Sequence, residues 1–166
     1  MEPIAVMARF NAWVNRRVYD TVAALSDANY RQDRGAFFGS IHNTLNHLLV
    51  VDLLWIGRIQ GRDRGVRALD QILHDDFAAL RAAREAEDAT LIALVDGLST
   101  DELRAPVSYR RMLGDGPQET RRDYMLITLF NHQTHHRGQV HCMLTQAGVT
   151  PPALDVIFFL EEAGLG

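Results

Sequence analysis

From Ile4 onward, Met7, Val14, Val18, Val22 and Leu25 recur at three- and four-residue steps, with Asn11 set inside the same stripe. That spacing is the period of one helical face. Pro3 suits the first turn of such a helix, where its missing N–H is not needed. Residues 26–38 are polar and irregular and predict no element. A second helix is expected from about Gly39 to Ile59. Its apolar residues, among them Ile41, Leu45, Leu48, Val51, Leu54 and Ile56, cover most of the circumference, the pattern of a helix buried among others. Gly61 to Gly65, with arginines around Asp63, reads as a solvated loop.

A third helix is expected from about Asp75, a capping residue type, to Val95 or Asp96, stopped by Gly97. Its core positions would be Phe77, Leu80, Leu91, Leu94 and Leu98. Ser99 and Glu102 fit a capping box that opens one short turn. Residues 104–121 break the helical period: Val107 to Met112, then Gly114-Asp115-Gly116, then a second short polar segment predict a small hairpin. The fourth long helix, Asp123 to Ala147, ends at Gly148 ahead of Pro151 and Pro152. A short last helix, about Asp155 to Ala163, carries Phe158 and Phe159. The expected fold is an all-α four-helix bundle with a short C-terminal helix and a small hairpin before the fourth long helix, a single domain over residues 1–166.

Composition narrows the function. With 166 residues, 47% of them hydrophobic and 23% charged, the chain has enough material for one packed core. The net charge of −4 and the dispersal of the 17 basic residues offer no phosphate-binding patch, so no nucleic-acid partner is expected. All 17 are arginine, which excludes a lysine Schiff base and a phosphate-loop lysine. Cys142 is the single cysteine and can form no intramolecular disulfide. With an N-terminus unlike a signal peptide, this leads us to expect a cytoplasmic protein. The longest apolar run is broken by Asp52 and too short to span a bilayer, so no membrane partner is expected.

The chemistry lies in Asn131-His-Gln-Thr-His-His-Arg-Gly-Gln-Val-His141. His132 and His136 are four residues apart, so they lie roughly 40° from each other on one helical face and about 6 Å apart along the axis. Both imidazoles can then reach one cation. Gln139 falls on the same face one turn on, where it could hold a ligand or a bound water. His135 sits at the edge of that face and His141 points nearly the opposite way. His47 is the best third donor, because it is central in the most apolar helix and an uncompensated imidazole there is costly. His42, nearer the helix start, is expected to be exposed, and Asp52 to point away from His47.

Three histidines without a fourth protein donor is the ligand count of an open, reactive site for one divalent transition metal. Imidazole suits zinc, nickel, copper or iron alike. Ordinary readings compete: an i, i+4 pair also occurs as two solvated residues, and Asn11 and Gln139, candidates for orienting the ligands, are also explained as buried amides bonded to backbone. Trp13, Trp55 and Phe130 read as core, and Cys142 as an inert small hydrophobe.

Ser40-Ile-His-Asn-Thr-Leu-Asn-His47-Leu followed by Asp52 and Trp55, together with His132-x-x-x-His136-Arg-Gly-Gln139, resembles the DinB/YfiT-like superfamily. This is the damage-inducible helical metalloprotein group, not the translesion polymerase that shares its name. Phe10-Asn-Ala-Trp-Val-Asn15, Pro151-Pro-x-Leu-Asp155 and Phe158-Phe159 extend the resemblance over nearly the whole chain. It implies a four-helix bundle, commonly a homodimer, with zinc or nickel on His47, His132 and His136. Relatives in that group include transferases and isomerases that use mycothiol or bacillithiol, and proteins proposed to be metal-dependent hydrolases.

Four readings follow. The first is a metal-dependent S-transferase that joins a low-molecular-weight thiol to a small electrophilic substrate, with Gln139 or Asn11 as orienting groups. The second is a hydrolase in which water replaces the thiol, with Glu161 or Glu162 as base if the last helix folds over the site. The third is a non-enzymatic, stress-associated metal-binding bundle. The fourth is a bundle whose histidines are ordinary core residues.

Overall fold

A computed structural model describes residues 2–112 and 116–165. The long helices are α1 (Pro3–Val22), α3 (Ile41–Gln60), α4 (Phe77–Asp96) and α6 (Arg122–Gln146); the shorter ones are α2 (Asp27–Arg31), α5 (Thr100–Arg104) and α7 (Val156–Glu162). Local chemistry sets their ends. Pro3 starts α1. Ser40 Oγ accepts the Asn43 N–H at 3.1 Å to cap α3, and Gly61 ends it at φ 66°, a left-handed conformation that costs glycine little. Asp76 caps α4 through the Ala79 N–H, and Ser99 and Glu102 form both halves of a capping box on α5. The expected hairpin is present as antiparallel β1 (Pro106–Arg110) and β2 (Pro117–Arg121), with Val107 opposite Thr120 and Tyr109 opposite Gln118. Of its expected turn, Gly114 and Asp115 lie outside the described residues, while Gly116 has φ 82°.

Each long helix packs against two others: α1 on α4 and α6, and α3 on α6 and α4. The core is divided. One apolar cluster joins Val14 and Val18 of α1, Leu45 and Leu48 of α3, Leu80 of α4 and Met143 of α6. The other joins Ala8, Ile56, Leu91, Val95, Met125 and Leu129. The order in which the helices meet these clusters shows that α1 and α6 run one way and α3 and α4 the other. The 61–76 connection must therefore return along the length of the bundle before α4 begins.

That crossover is tied down. Asn46 Oδ1 accepts the backbone N–H groups of Leu73 and His74 at 2.9 and 3.0 Å, and Arg64 pairs with Glu87 at 2.8 Å. His42, expected at the surface, is instead 5% exposed, its Nε2 3.3 Å from the His74 carbonyl and its ring edge-on to Tyr30. The returning strand of chain covers what would otherwise be an open helix end. The 26–38 segment, read as structureless, contains α2, capped by Ser26. Cys142 is exposed rather than packed.

Between the two apolar clusters lies a polar layer to which all four long helices contribute. Arg84 sits 2.8 Å from Asp52 and 3.0 Å from Asp88. Asn15 and Asn11 donate to Asp88, and Arg137 donates to Asn11, Asn15 and Gln133. All seven are buried. Asp52 points away from His47, as expected, because it belongs to this layer. No described helix is long and apolar enough to cross a membrane.

Candidate metal centre

The structure brings His47 of α3 together with His132 and His136 of α6. One ring nitrogen from each lies within 4.8 Å of the other two, and His47 Nε2 is 3.0 Å from His132 Nε2. Two of the three rings have their tautomers fixed from behind. The Leu69 carbonyl, on the crossover, faces His47 Nδ1 at 2.7 Å, and Gln139 Oε1 faces His136 Nδ1 at 2.8 Å. Both partners are acceptors, so each Nδ1 carries the proton and each Nε2 presents its lone pair.

The rings are also neutral. Burial pushes His132 down to about 3, helped by the neighbouring His136 and His47. It pushes His47 down to about 4 against the opposing Leu69 hydrogen bond, and lowers His136 as well. Neutral imidazole is the ligating form. A tetrahedral cation with metal–nitrogen bonds of about 2.0–2.1 Å needs donors roughly 3.3 Å apart, and the observed cluster matches that scale. Among the described residues His132 Nδ1 is buried without a hydrogen-bond partner. The donor set therefore fits a metal ion.

Phe38 stacks on His47 at 3.9 Å between ring centroids and lies 5.5 Å from His136, shielding one side of the trio. It was missed in the sequence because it falls in the stretch read as irregular; an aromatic pair, Phe37-Phe38, just ahead of the Ser40 cap was the available signal. Gln139 lies where the spacing placed it. His135 is exposed, with Nε2 3.5 Å from Gln139 Nε2, and His141 points elsewhere, toward the Pro152 carbonyl. Asn11 is corrected: its hydrogen bonds go to Asp88 and Arg137 in the polar layer, so it does not orient the histidines. Glu162 is corrected too. The last helix packs on α1, where Glu162 pairs with Arg17 at 2.7 Å, and neither it nor Glu161 lines a cleft at the histidines.

Two clefts meet at the trio. An apolar one of about 270 Å³ runs along α3 and β1, lined by Val51, Leu54, Trp55 and Tyr109 with Arg58 and Arg111. A more polar one of about 540 Å³ opens past Phe37, Asp70, His135 and Gln139. His47, His132 and Leu69 line both.

Comparison with known proteins agrees with this architecture. The sequence profile described as the DinB family matches residues 1–164. Protein DinB of Bacillus subtilis (strain 168) is 25% identical over 164 residues, covering 91% of this chain and 90% of that protein. The crystal structure of a DinB-like protein from Bacillus cereus ATCC 10987 superposes with a TM-score of 0.67 at 18% identity, covering 85% of this chain and 90% of that one. A DinB-like protein from Bacillus subtilis gives a TM-score of 0.67 at 13% identity, covering 90% and 97%. At those identities the two structures speak to the fold, and the profile match over nearly every residue speaks to descent: the chain belongs to the DinB family.

Proposed function

We propose that the protein is a metal-dependent S-transferase, holding zinc or nickel on His47, His132 and His136 and joining a low-molecular-weight thiol to a small electrophile. The observation that carries this reading is the meeting of two separate clefts at one trio of histidines. A hydrolase needs room for one organic substrate and water. A transferase needs two organic reactants brought to one point from different sides, which is where orientation contributes most to rate.

When bound, the cation would supply Lewis-acid stabilisation of the thiolate, the nucleophilic form of sulfur. The chain's own residues prepare the rest. Leu69 and Gln139 hold the His47 and His136 rings in the ligating tautomer. Phe38 covers the stacked face of His47 and excludes water there. His135 and Asp70, exposed in the polar cleft, are placed to accept the thiol proton and pass it to solvent. The sulfur then forms a bond to the electrophilic carbon, and the leaving group departs with the electron pair of the bond that breaks.

The test is conjugation of 1-chloro-2,4-dinitrobenzene with a panel of thiols that includes bacillithiol and mycothiol. The panel is run on zinc- and nickel-loaded protein, on metal-free protein and on His47→Ala. Thiol-dependent chloride release above the metal-free rate, lost in His47→Ala, is expected. No excess rate with any thiol removes the proposal. A hydrolase is the second reading, favoured by the same Asp70 and His135, either of which could serve as the base for a water. Ester cleavage independent of thiol would select it.

A further inference from the structure

The apolar cleft beside the histidines has a charge pattern that its walls do not explain. Arg58 lies over the rings of both Trp55 and Tyr109, its guanidinium carbon 4.8 and 4.9 Å from their centroids, and donates to the Arg110 carbonyl at 3.0 Å. Those contacts hold the side chain in place at the end of the cleft, half-buried. Arg111 lines the same cleft. Among the described residues neither arginine forms an ion pair with a carboxylate, although eight of the other fifteen arginines do: Arg9, Arg17, Arg31, Arg64, Arg67, Arg81, Arg84 and Arg121.

Two like charges at the end of an apolar cleft are an unfavourable arrangement in an empty protein. Burial and the nearby Arg111 both lower the Arg58 pKa, while Tyr109 opposes them. The arrangement becomes favourable when an anion sits between or against the two guanidinium groups, since arginine is the residue suited to planar, bidentate recognition of a carboxylate. The cleft's other end is His47 and His132. Its volume of about 270 Å³ lies near the lower limit of ordinary ligand sites, roughly 300–1,000 Å³, so its occupant is small.

We propose that this cleft is the electrophile subsite and that it selects small amphipathic carboxylates. The apolar or aromatic body lies along Val51, Leu54 and Trp55, the carboxylate reaches Arg58 and Arg111, and the reacting carbon is directed at the histidines. This deepens the transferase reading above and rests on it for the reaction, but the binding step can be tested alone. A ligand with its carboxylate at the histidine end would be inverted; the two arginines fix the opposite polarity.

The probe is 4-phenylbutyrate, with its neutral amide as control, titrated by calorimetry into metal-stripped and zinc-loaded protein. Expected is binding of the acid at least ten-fold tighter than of the amide in both forms, with that preference lost in Arg111→Gln and in Arg58→Gln. Arg111 is exposed, so its replacement tests the inference even if Arg58→Gln fails to fold. Equal binding of acid and amide, no binding of either, or a preference unchanged in Arg111→Gln overturns the proposal. A preference present only in the zinc-loaded form also overturns it, because the carboxylate would then be meeting the cation. None of these outcomes bears on the S-transferase reading, which stands or falls on thiol-dependent turnover.

Discussion

Asp52 of α3 and Arg84 of α4 form an ion pair at 2.8 Å in the middle of the bundle, with 0% and 2% of their side-chain surface exposed. Such a pair contributes little net stability over a well-packed apolar replacement, but removing Asp52 alone leaves Arg84 and Arg137 in the buried layer with Asp88 as their one carboxylate, an uncompensated buried charge. The single and the double replacement should therefore behave oppositely. Asp52→Ala should cost about 3–5 kcal/mol in urea denaturation, whereas Asp52→Leu combined with Arg84→Met should recover most of that loss. A single replacement costing less than ~1 kcal/mol would show that the layer is solvated rather than dry.

Gln139 acts on the centre through His136. Its Oε1 faces His136 Nδ1 at 2.8 Å while the side chain is only half-buried. Gln139→Leu should lower metal affinity about 10–100-fold, the usual effect of removing a group that orients a ligand histidine, and change thermal stability of the metal-free protein little. Competition with a chromogenic chelator measures the first and a thermal melt the second. Unchanged affinity would mean that the His136 ring is held by packing alone.

The parts of this protein legible in the sequence are those written at short range. Ser99 with Glu102 marked a helix start, and Asp75 marked one a single residue ahead of the true cap Asp76, because capping needs only a side-chain oxygen and a backbone N–H within the next three residues. His132 and His136 were readable because helical periodicity alone puts them together, and His47 because a histidine amid Leu45, Leu48 and Leu49 demands a partner. What escaped depends on distant segments. Arg84, Glu87 and Asp88 sit in a charged stretch that reads like a solvated helix face, and only the return of Asp52, Asn15 and Arg137 from three other helices makes it interior. His42 and Leu69 follow the same logic: the crossover that buries one and supplies a carbonyl near the other leaves no local mark.

Acid should destabilise the metal-free protein through its histidines. Unfolded histidine titrates near 6.5, but burial holds folded His47 at about 4 and His132 at about 3. The unfolded chain therefore takes up protons first, so this stability is present in full above about pH 6.5 and is lost progressively as pH falls toward 4 and below. Asp52 works the other way: burial raises its folded carboxyl to about 6, so it gains stability as pH falls from about 6 toward the unfolded value near 3.9. His132→Phe separates the two, since phenylalanine does not titrate and Asp52 is retained. Wild type should lose more stability than His132→Phe between pH 7.5 and 5, read as the shift in urea midpoint. Parallel losses in the two proteins would place the acid sensitivity elsewhere.

The crossover gives the last prediction, because it links a glycine to the centre through the backbone. Gly57 of α3 lies where an added Cβ would be 2.6 Å from the Arg62 carbonyl oxygen, closer than real packing allows. Gly57→Ala must push the start of the crossover away from α3, at a cost of roughly 1–3 kcal/mol typical of overpacking. The displaced chain carries Leu69, whose carbonyl faces His47 Nδ1, so metal affinity should fall together with stability. Ser99→Ala supplies the control: loss of its capping box should cost about 1 kcal/mol at α5, which packs on α6 and carries no group that faces the histidines, and leave metal affinity unchanged. If Gly57→Ala lowers stability yet binds zinc as tightly as wild type, the Leu69 carbonyl is dispensable and His47 is set by its stack on Phe38 instead.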